Sequence, residues 1–322
     1  MIRPMNGGTG EQLRIRYHRD FDGMVSGAVL AHILRDQGEK PLLKSVNYDE
    51  RSGWESFEEG KRFALVDFHF HPRAEYWFDH HPTTFLTDEL RAQYEPSARW
   101  SWDETSPSCP PMIIRHAQEH FGYEPPDRFM EAAHWSDIID AARFESVDQA
   151  IFGEDPALRL MRALTASPSP AWVDELATAL ITESLGDVAQ RPDVEKVYGR
   201  AARNRDKALD QFPPTVLWNK GGVLFYDAAS SKIRRERFAP FYHFPDVSYA
   251  VGVIPTRAGF HITCGENPWK QPTNGVHVGE MMEEYGGGGH RAVGGANPPS
   301  LAEAKRLGEE FAVRVKDHLA RT

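Results

Sequence analysis

The 322-residue chain is long enough for two ordinary domains or one large one, and its 40% apolar and 26% charged residues are those of a folded globular protein, not a disordered one. No run approaches the roughly 18 uninterrupted apolar residues of a membrane span, and two cysteines far apart, Cys109 and Cys264, argue against a disulfide framework or a cysteine zinc site. A net charge of −10 argues against coating of long duplex nucleic acid, yet leaves small phosphorylated substrates open, because metal ions can invert the local field.

The opening "MIRPMNGGTGEQ" is polar and Gly-rich with no apolar run, so no secretory signal is expected; with the cysteine usage, this predicts a cytoplasmic location. Residues 13–17, "LRIRY", alternate apolar and basic side chains as a half-buried strand does. The polar turn "HRDFDG" follows, and then "MVSGAVLAHILRDQG" (24–38) has helical spacing and a terminal glycine stop. Residues 63–66, "FALV", and 75–78, "EYWF", read as short buried strands that end at Asp67 and Asp79. Several acids therefore stand just past the carboxyl ends of apolar strands, the edge at which open parallel sheets bind ligands.

From about 108 to 185 the spacing is mostly helical, and "SPSCPP" supplies cap and helix-start signals at its beginning. A charged stretch around 187–210 reads as a connecting helix with little surface for a core. After Pro213 and Pro214 the texture becomes β-rich, in "TVLWN", "GGVLFYDA", "VSYAVGVIP" and "GFHITCG", before a helical tail from Ser300. The expected fold class is α/β: an N-terminal parallel-sheet domain (1–190), a helical linker (191–212) and a smaller α/β C-terminal domain (213–322).

Five motifs carry chemistry. His18, Asp20 and Asp22 in "HRDFDG" can point toward neighbouring cations, although ordinary turns and caps use the same residues. Asp67 in "ALVDFHFH" is a ligand candidate or a solvated loop acid, with His69 and His71 as further candidates. Asp79-His80-His81 suits a division of labour, one imidazole on metal and the next facing substrate, with the aspartate orienting the turn. Asp137 and Asp140 share a helix face, and one of them can reach the cluster. Finally, Gly286 to Gly289 and then His290 and Arg291 offer bare amides and cationic or donor groups to a phosphate, with a hinge as the alternative.

In this order the pieces resemble the DHH family of phosphoesterases: Asp20/Asp22, Asp67, Asp79-His80-His81, Asp140 in "DAARF", and Gly287-Gly288-Gly289-His290, over about residues 13–297. The resemblance implies a two-metal hydrolase, usually manganese-dependent, whose active site lies between its domains. It implies Asp20, Asp22, Asp67, His80 and Asp140 as metal ligands, with Asp67 bridging and His18 joining them as in the exonuclease-like branch. Asp79 is implied as support and His81 as the substrate-facing histidine, and Gly287, Gly288, Gly289, His290 and Arg291 as substrate-binding. The family's Asp-Thr-Gly-x-Phe reads Asp-Ala-Ala-Arg-Phe here, which keeps Asp137 as an alternative to Asp140. The strand "HITCGENPW" lacks the arginine that grips substrate in relatives, and Lys232, Arg234, Arg235 and Arg237 are candidates to compensate.

The function expected from these pieces is hydrolysis of a nucleotide, cyclic dinucleotide or short oligonucleotide with two divalent ions, Mn2+ foremost, since mixed carboxylate and imidazole ligands suit it. The alternatives are a pyrophosphatase or exopolyphosphatase of the same family, and a non-catalytic nucleotide-binding module, whose signature would be a lost carboxylate. The partners expected are a small phosphorylated substrate or short oligonucleotide, without long duplex or membrane, and a homodimer stays open.

Overall fold

The alternation in "LRIRY" becomes strand β1 (Arg14–His18), with Ile15 and Tyr17 buried and the basic Arg14 and Arg16 half-buried in ion pairs with Glu58. The structure is a computed structural model that describes residues 11–47, 53–166, 169–231, 236–256 and 259–321. The chain divides into two compact units, Met1–Arg143 with Glu154–Ala201, and Phe144–Gly153 with Ala202–Thr322.

In the first unit β1 lies between β2 (Leu42–Val46) and β3 (Phe63–Val66), and β4 (Trp77–Asp79) and β5 (Trp100–Trp102) extend the sheet in the order β2-β1-β3-β4-β5. Every pairing is parallel. All four residues of "FALV" are buried because this strand is covered on both faces. Ala64 and Val66 face a helical core that includes Tyr17, Val29, Met112 and Leu176. Phe63 and Leu65 face an aromatic cluster with Trp54, Phe68, Phe70 and Trp77. Long connections, not helices, supply most of that aromatic layer.

The helices follow in chain order as α1 (Phe21–Asp36), α2 (Asp88–Ala92), α3 (Cys109–Phe121), α4 (Asp127–Asp140), α5 (Val147–Phe152), α6 (Pro156–Thr165), α7 (Pro170–Leu180), α8 (Leu185–Ala189) and α9 (Pro192–Gln211). Of these, α5 packs with the second unit, and α9 begins in the first and ends in the second. No helix among the described residues is long and apolar enough to cross a membrane.

One local reading changes. Helix α1 starts three residues earlier than its apolar spacing suggested, because Asp20 caps it by accepting from the Gly23 amide at 2.9 Å. The "DFDG" segment is thus a cap and a first turn, not a free loop. Helix α9, expected to offer little surface for a core, buries Val194, Tyr198, Ala208 and Leu209 and leaves most of its charged positions exposed.

The second unit is a six-stranded mixed sheet of β6 (Val216–Lys220), β7 (Val223–Asp227), β8 (Tyr249–Thr256), β9 (Gly259–Glu266), β10 (Gly288–Gly289) and β11 (Val293–Ala296), ordered β10-β11-β9-β8-β7-β6. Only β7 and β8 run parallel. The unit also holds α10 (Ala239–His243), α11 (Val278–Glu283) and α12 (Leu301–Leu319), the last burying Phe311, Ala312 and Val315 against Phe225, Val251 and Val253.

Candidate metal centre

Because β1, β3 and β4 are parallel, their carboxyl ends lie along one edge, where β1 ends in His18, Asp67 follows β3 directly, and β4 ends in Asp79. Helix α1 leaves this edge at once. Gly23 permits that, since a Cβ there would fall 2.2 Å from the His18 carbonyl oxygen. The tight exit places Asp20 as the cap and turns Asp22 inward, where it is buried. Asp67 sits at φ +53°, a left-handed conformation that aspartate tolerates better than most side chains. That conformation stores backbone strain at a buried acid, and it falls at the carboxyl edge of the sheet.

These residues form three overlapping groups, within each of which the potential ligand atoms lie within 4.8 Å of one another: His18, Asp20 and Asp67; Asp67, His80 and His81; Asp22, His80 and Asp140. Asp67 has one oxygen in each direction. Its Oδ2 is 3.7 Å from His18 Nδ1, and its Oδ1 is 3.5 Å from His80 Nε2 and 3.6 Å from His81 Nδ1. His80 Nε2 also lies 3.5 Å from Asp22 Oδ2 and 3.6 Å from Asp140 Oδ2. His18 Nδ1 is 2.9 Å from Asp20 Oδ2.

The supports are as specific as the cluster. Asp79, buried, accepts from the His80 amide at 2.8 Å and from His81 Nδ1 at 2.8 Å, and Thr84 Oγ1 donates to its other oxygen. His80 Nδ1 donates to the Ser106 carbonyl at 3.1 Å, which aims Nε2 at the carboxylates as the nitrogen that offers a lone pair once it gives up its proton. The Cys109 amide donates to Asp22 Oδ2 at 3.0 Å, and the Trp102 indole to the His81 carbonyl at 3.0 Å.

Elsewhere the sequence candidates separate. His71 is occupied by the Trp54 carbonyl and the Arg73 amide. Neither it nor His69 belongs to any of the three groups. Asp140 is in a group, and Asp137 instead accepts from Ser108 Oγ at 2.7 Å. Trp100 and Trp102 use their indole N–H groups on the carbonyls of Ala74 and His81. Trp269 in the second unit donates to the Phe144 carbonyl.

The glycine run is described within the second unit. A Cβ on Gly287 would lie 2.1 Å from the Gly295 carbonyl oxygen, and one on Gly289 2.3 Å from that of Val293, so both are bare to let β11 approach. The Gly286 and Gly287 amides donate to the Glu283 and Met282 carbonyls at the end of α11, and the His290 amide to Val293. Gly288 alone of the run's last three glycines has open space at its Cβ position. Lys232, Arg234 and Arg235 lie outside the described residues, and the Arg237 guanidinium covers the Phe238 ring, 5.2 Å from its centroid.

Charge in the cluster is unbalanced. Burial pushes the Asp22 carboxyl well up, and the Asp67 and Asp140 charges push it further. Asp140 rises to about 6 through burial and the charges of Asp67 and Asp20. Burial opposes the protonated forms of His18 and His80, yet the surrounding carboxylates outweigh it and lift both to about 11. His81 rises to about 9 against burial, chiefly through Asp79. Burial would also raise Asp67, but His18, His80 and His81 hold it below the usual carboxylate range.

Among the described residues, both Asp67 oxygens, Asp22 Oδ1 and His80 Nε2 are buried without a hydrogen-bond partner. Buried carboxylate oxygens in that state are groups that a bound cation would satisfy in place of the protonated histidines. Oxygen and imidazole donors converging from several elements fit divalent ions.

The sequence reading missed Thr84, Ser106 and the Cys109 amide. For Thr84 the "HHPTT" context was a weak signal, and the contacts from the Ser106 carbonyl and Cys109 amide are backbone bonds that side-chain identity does not encode.

Where the family's Asp-Thr-Gly-x-Phe carries glycine, this chain has Ala142 at φ +52°. Ala142→Gly is therefore expected to stabilise the protein by about 1 kcal/mol in urea unfolding. No gain would show that the surrounding structure fully compensates this backbone.

No protein-family model matches the chain, and no curated protein matches it in sequence. Solved structures do. A pGpG-specific phosphodiesterase, PggH from Vibrio cholerae, aligns with TM-score 0.68 at 17% identity over 96% of this chain and 100% of that one. The DHH domain of a member of a family of ribosomal proteins aligns with TM-score 0.55 at 14% identity, over 95% and 87%. RecJ from Thermus thermophilus, in complex with Mn2+, aligns with TM-score 0.52 at 13% identity over 97% of this chain and 52% of that chain. These likenesses establish the fold: a parallel-sheet unit and a mixed-sheet unit, as in the DHH proteins.

Proposed function

We propose that this DHH-fold chain is a two-metal phosphohydrolase acting on short phosphodiesters: a nucleotide, a cyclic dinucleotide or a short oligonucleotide. The observation that carries the reading is Asp67, whose two buried oxygens lack hydrogen bonds and face two different sets of candidate ligands. On this reading His18, Asp20 and Asp67 hold one ion, and Asp67, Asp22, His80 and Asp140 hold the other. Two divalent cations, Mn2+ foremost, would neutralise the phosphoryl oxygens and acidify a water for attack. Holding two like-charged ions close together requires a shared carboxylate, and Asp67 is placed to be that carboxylate.

The remaining residues position and bind. Asp79 fixes the His81 ring through Nδ1, leaving Nε2 to hold a phosphoryl oxygen of the substrate. Of the second unit's candidates, Gly288, His290 and Arg291 are the proposed substrate-binding groups, while Gly287 and Gly289 are given over to packing against β11. The open surface above Gly288 and the exposure of His290 and Arg291 favour that role. The length-wide likeness to a pGpG-specific phosphodiesterase supports a linear dinucleotide within the substrate class.

A hydrolysis panel tests the reading: bis-nitrophenyl phosphate followed by nitrophenol release, linear and cyclic dinucleotides and a short oligonucleotide followed by chromatography of their products, and pyrophosphate followed by phosphate release, each with Mn2+ and with EDTA. Diester hydrolysis that EDTA abolishes is the expected result. Turnover of pyrophosphate alone would replace the substrate class, and no turnover of any compound would favour a binding module.

A further inference from the structure

Ser108 occupies the N-cap of α3, yet its side chain caps nothing. The reason is local sequence: in "SCPP" the positions whose amides a capping serine serves are Pro110 and Pro111, which have no N–H. The Cys109 amide is the one first-turn donor ahead of these prolines, and it goes to Asp22 Oδ2 at 3.0 Å. The Ser108 hydroxyl, wholly buried, donates at 2.7 Å to Asp137, three residues before Asp140 on α4.

The same strap reaches a third residue. The Ser106 carbonyl accepts from His80 Nδ1 at 3.1 Å, and Ser106 Oγ donates to the Ser108 carbonyl at 2.8 Å. Residues 106–109 thus orient His80 and Asp22, and the Ser108–Asp137 bond ties them to the helix that bears Asp140. Asp22, His80 and Asp140 form one of the three groups, whereas His18, Asp20 and Asp67 come from β1, the cap of α1 and the end of β3.

We infer that Ser108 and Asp137 are positioning residues, a clasp that sets the affinity of the Asp22/His80/Asp140 half of the centre while leaving the His18/Asp20 half alone. The inference rests on the two-metal reading above. Partners that orient metal ligands typically set affinity by about 10–100-fold.

The test is an Mn2+ titration of the full-length, metal-free chain, followed by electron paramagnetic resonance of free Mn2+, with thermal melts alongside. Wild type is expected to bind two ions. Ser108→Ala and Asp137→Ala should each weaken one of them by about 10–100-fold and leave the other unchanged, with the double variant no worse than either single one. Asp137→Asn keeps the acceptor oxygen and should stay within about threefold of wild type. A purely structural role would lower the melting temperature without separating the two affinities. Asp137 is only partly buried, so Asp137→Ala decides the matter if Ser108→Ala does not fold. Two unchanged affinities, or two equally weakened ones, would overturn the clasp. Wild type that binds no Mn2+ would overturn the two-metal reading itself, a distinct outcome.

Discussion

Asp67→Asn is expected to lower Mn2+-dependent diester hydrolysis by on the order of 10³-fold, because a metal pair supplies several kcal/mol and each 1.4 kcal/mol is a factor of ten. His18→Ala should cost far less, about tenfold, consistent with loss of one neutral donor from one ion. The difference follows from placement. The two Asp67 oxygens point to separate groups, one toward His18 and the other toward His80 and His81, so its loss affects both ions. His18 stands only in the group that Asp20 and Asp67 would still hold. Asparagine is the better probe than alanine, since it tolerates the φ of +53° and matches the volume, so the fold is retained. Steady-state kcat and the stoichiometry of bound Mn2+ report the two effects separately. Equal, near-wild-type rates for both variants would remove Asp67 from its bridging role.

The second large effect concerns pH and metal. Without ions, the folded protein holds protons on His18 and His80 up to about 11 and on His81 up to about 9, well above the unfolded histidine value near 6.5. A pKa raised by folding contributes stability that is complete below the unfolded value and is lost as pH rises toward the folded one. Asp140, raised to about 6, behaves alike at lower pH, losing its contribution between about 4 and 6. Asp67, held low, has the opposite sign, but its window lies below about pH 4.

From pH 6.5 to 8.5 the histidines, with the raised Asp22 acting in the same direction, set the slope. One extra proton held by the folded state costs about 1.4 kcal/mol per pH unit as pH rises, so the metal-free melting temperature should fall by on the order of 5–10 °C. Mn2+ needs deprotonated ligands, so the stabilisation it gives should grow over the same window. At a hundred times its Kd one ion adds about 2.7 kcal/mol. Differential scanning fluorimetry with EDTA and with Mn2+ across that range checks both slopes. Superimposed curves would mean that the cluster neither holds those protons nor exchanges them for metal.

Much of this was legible in the sequence, for identifiable reasons. Alternation in "LRIRY" and the apolar run "FALV" were enough for strands, because burial on one face or on two leaves its own pattern. Ser300 before a long amphipathic stretch foretold the start of the last helix, whose cap accepts from the Glu303 amide. Helix α1 was harder. Its cap, Asp20, is also a candidate ligand, so composition alone could not assign "DFDG" to a turn or to a first helical turn. The aromatic layer over β3 comes from connections with no period to read.

By itself the sequence determined which chemistry was available: enough carboxylates and imidazoles for two divalent ions, standing after short apolar strands, and a glycine run far downstream. Only the tertiary structure decided which of them meet. Asp140 joins the centre while Asp137 clasps Ser108, though both lie on one helical face. His80 enters the carboxylate cluster while His71 is taken up by backbone groups. The physical reason is that convergence is a property of distances between residues far apart in the chain. Those distances are set by how parallel strands bring their ends to one edge and by backbone hydrogen bonds that nearly every residue type can make alike.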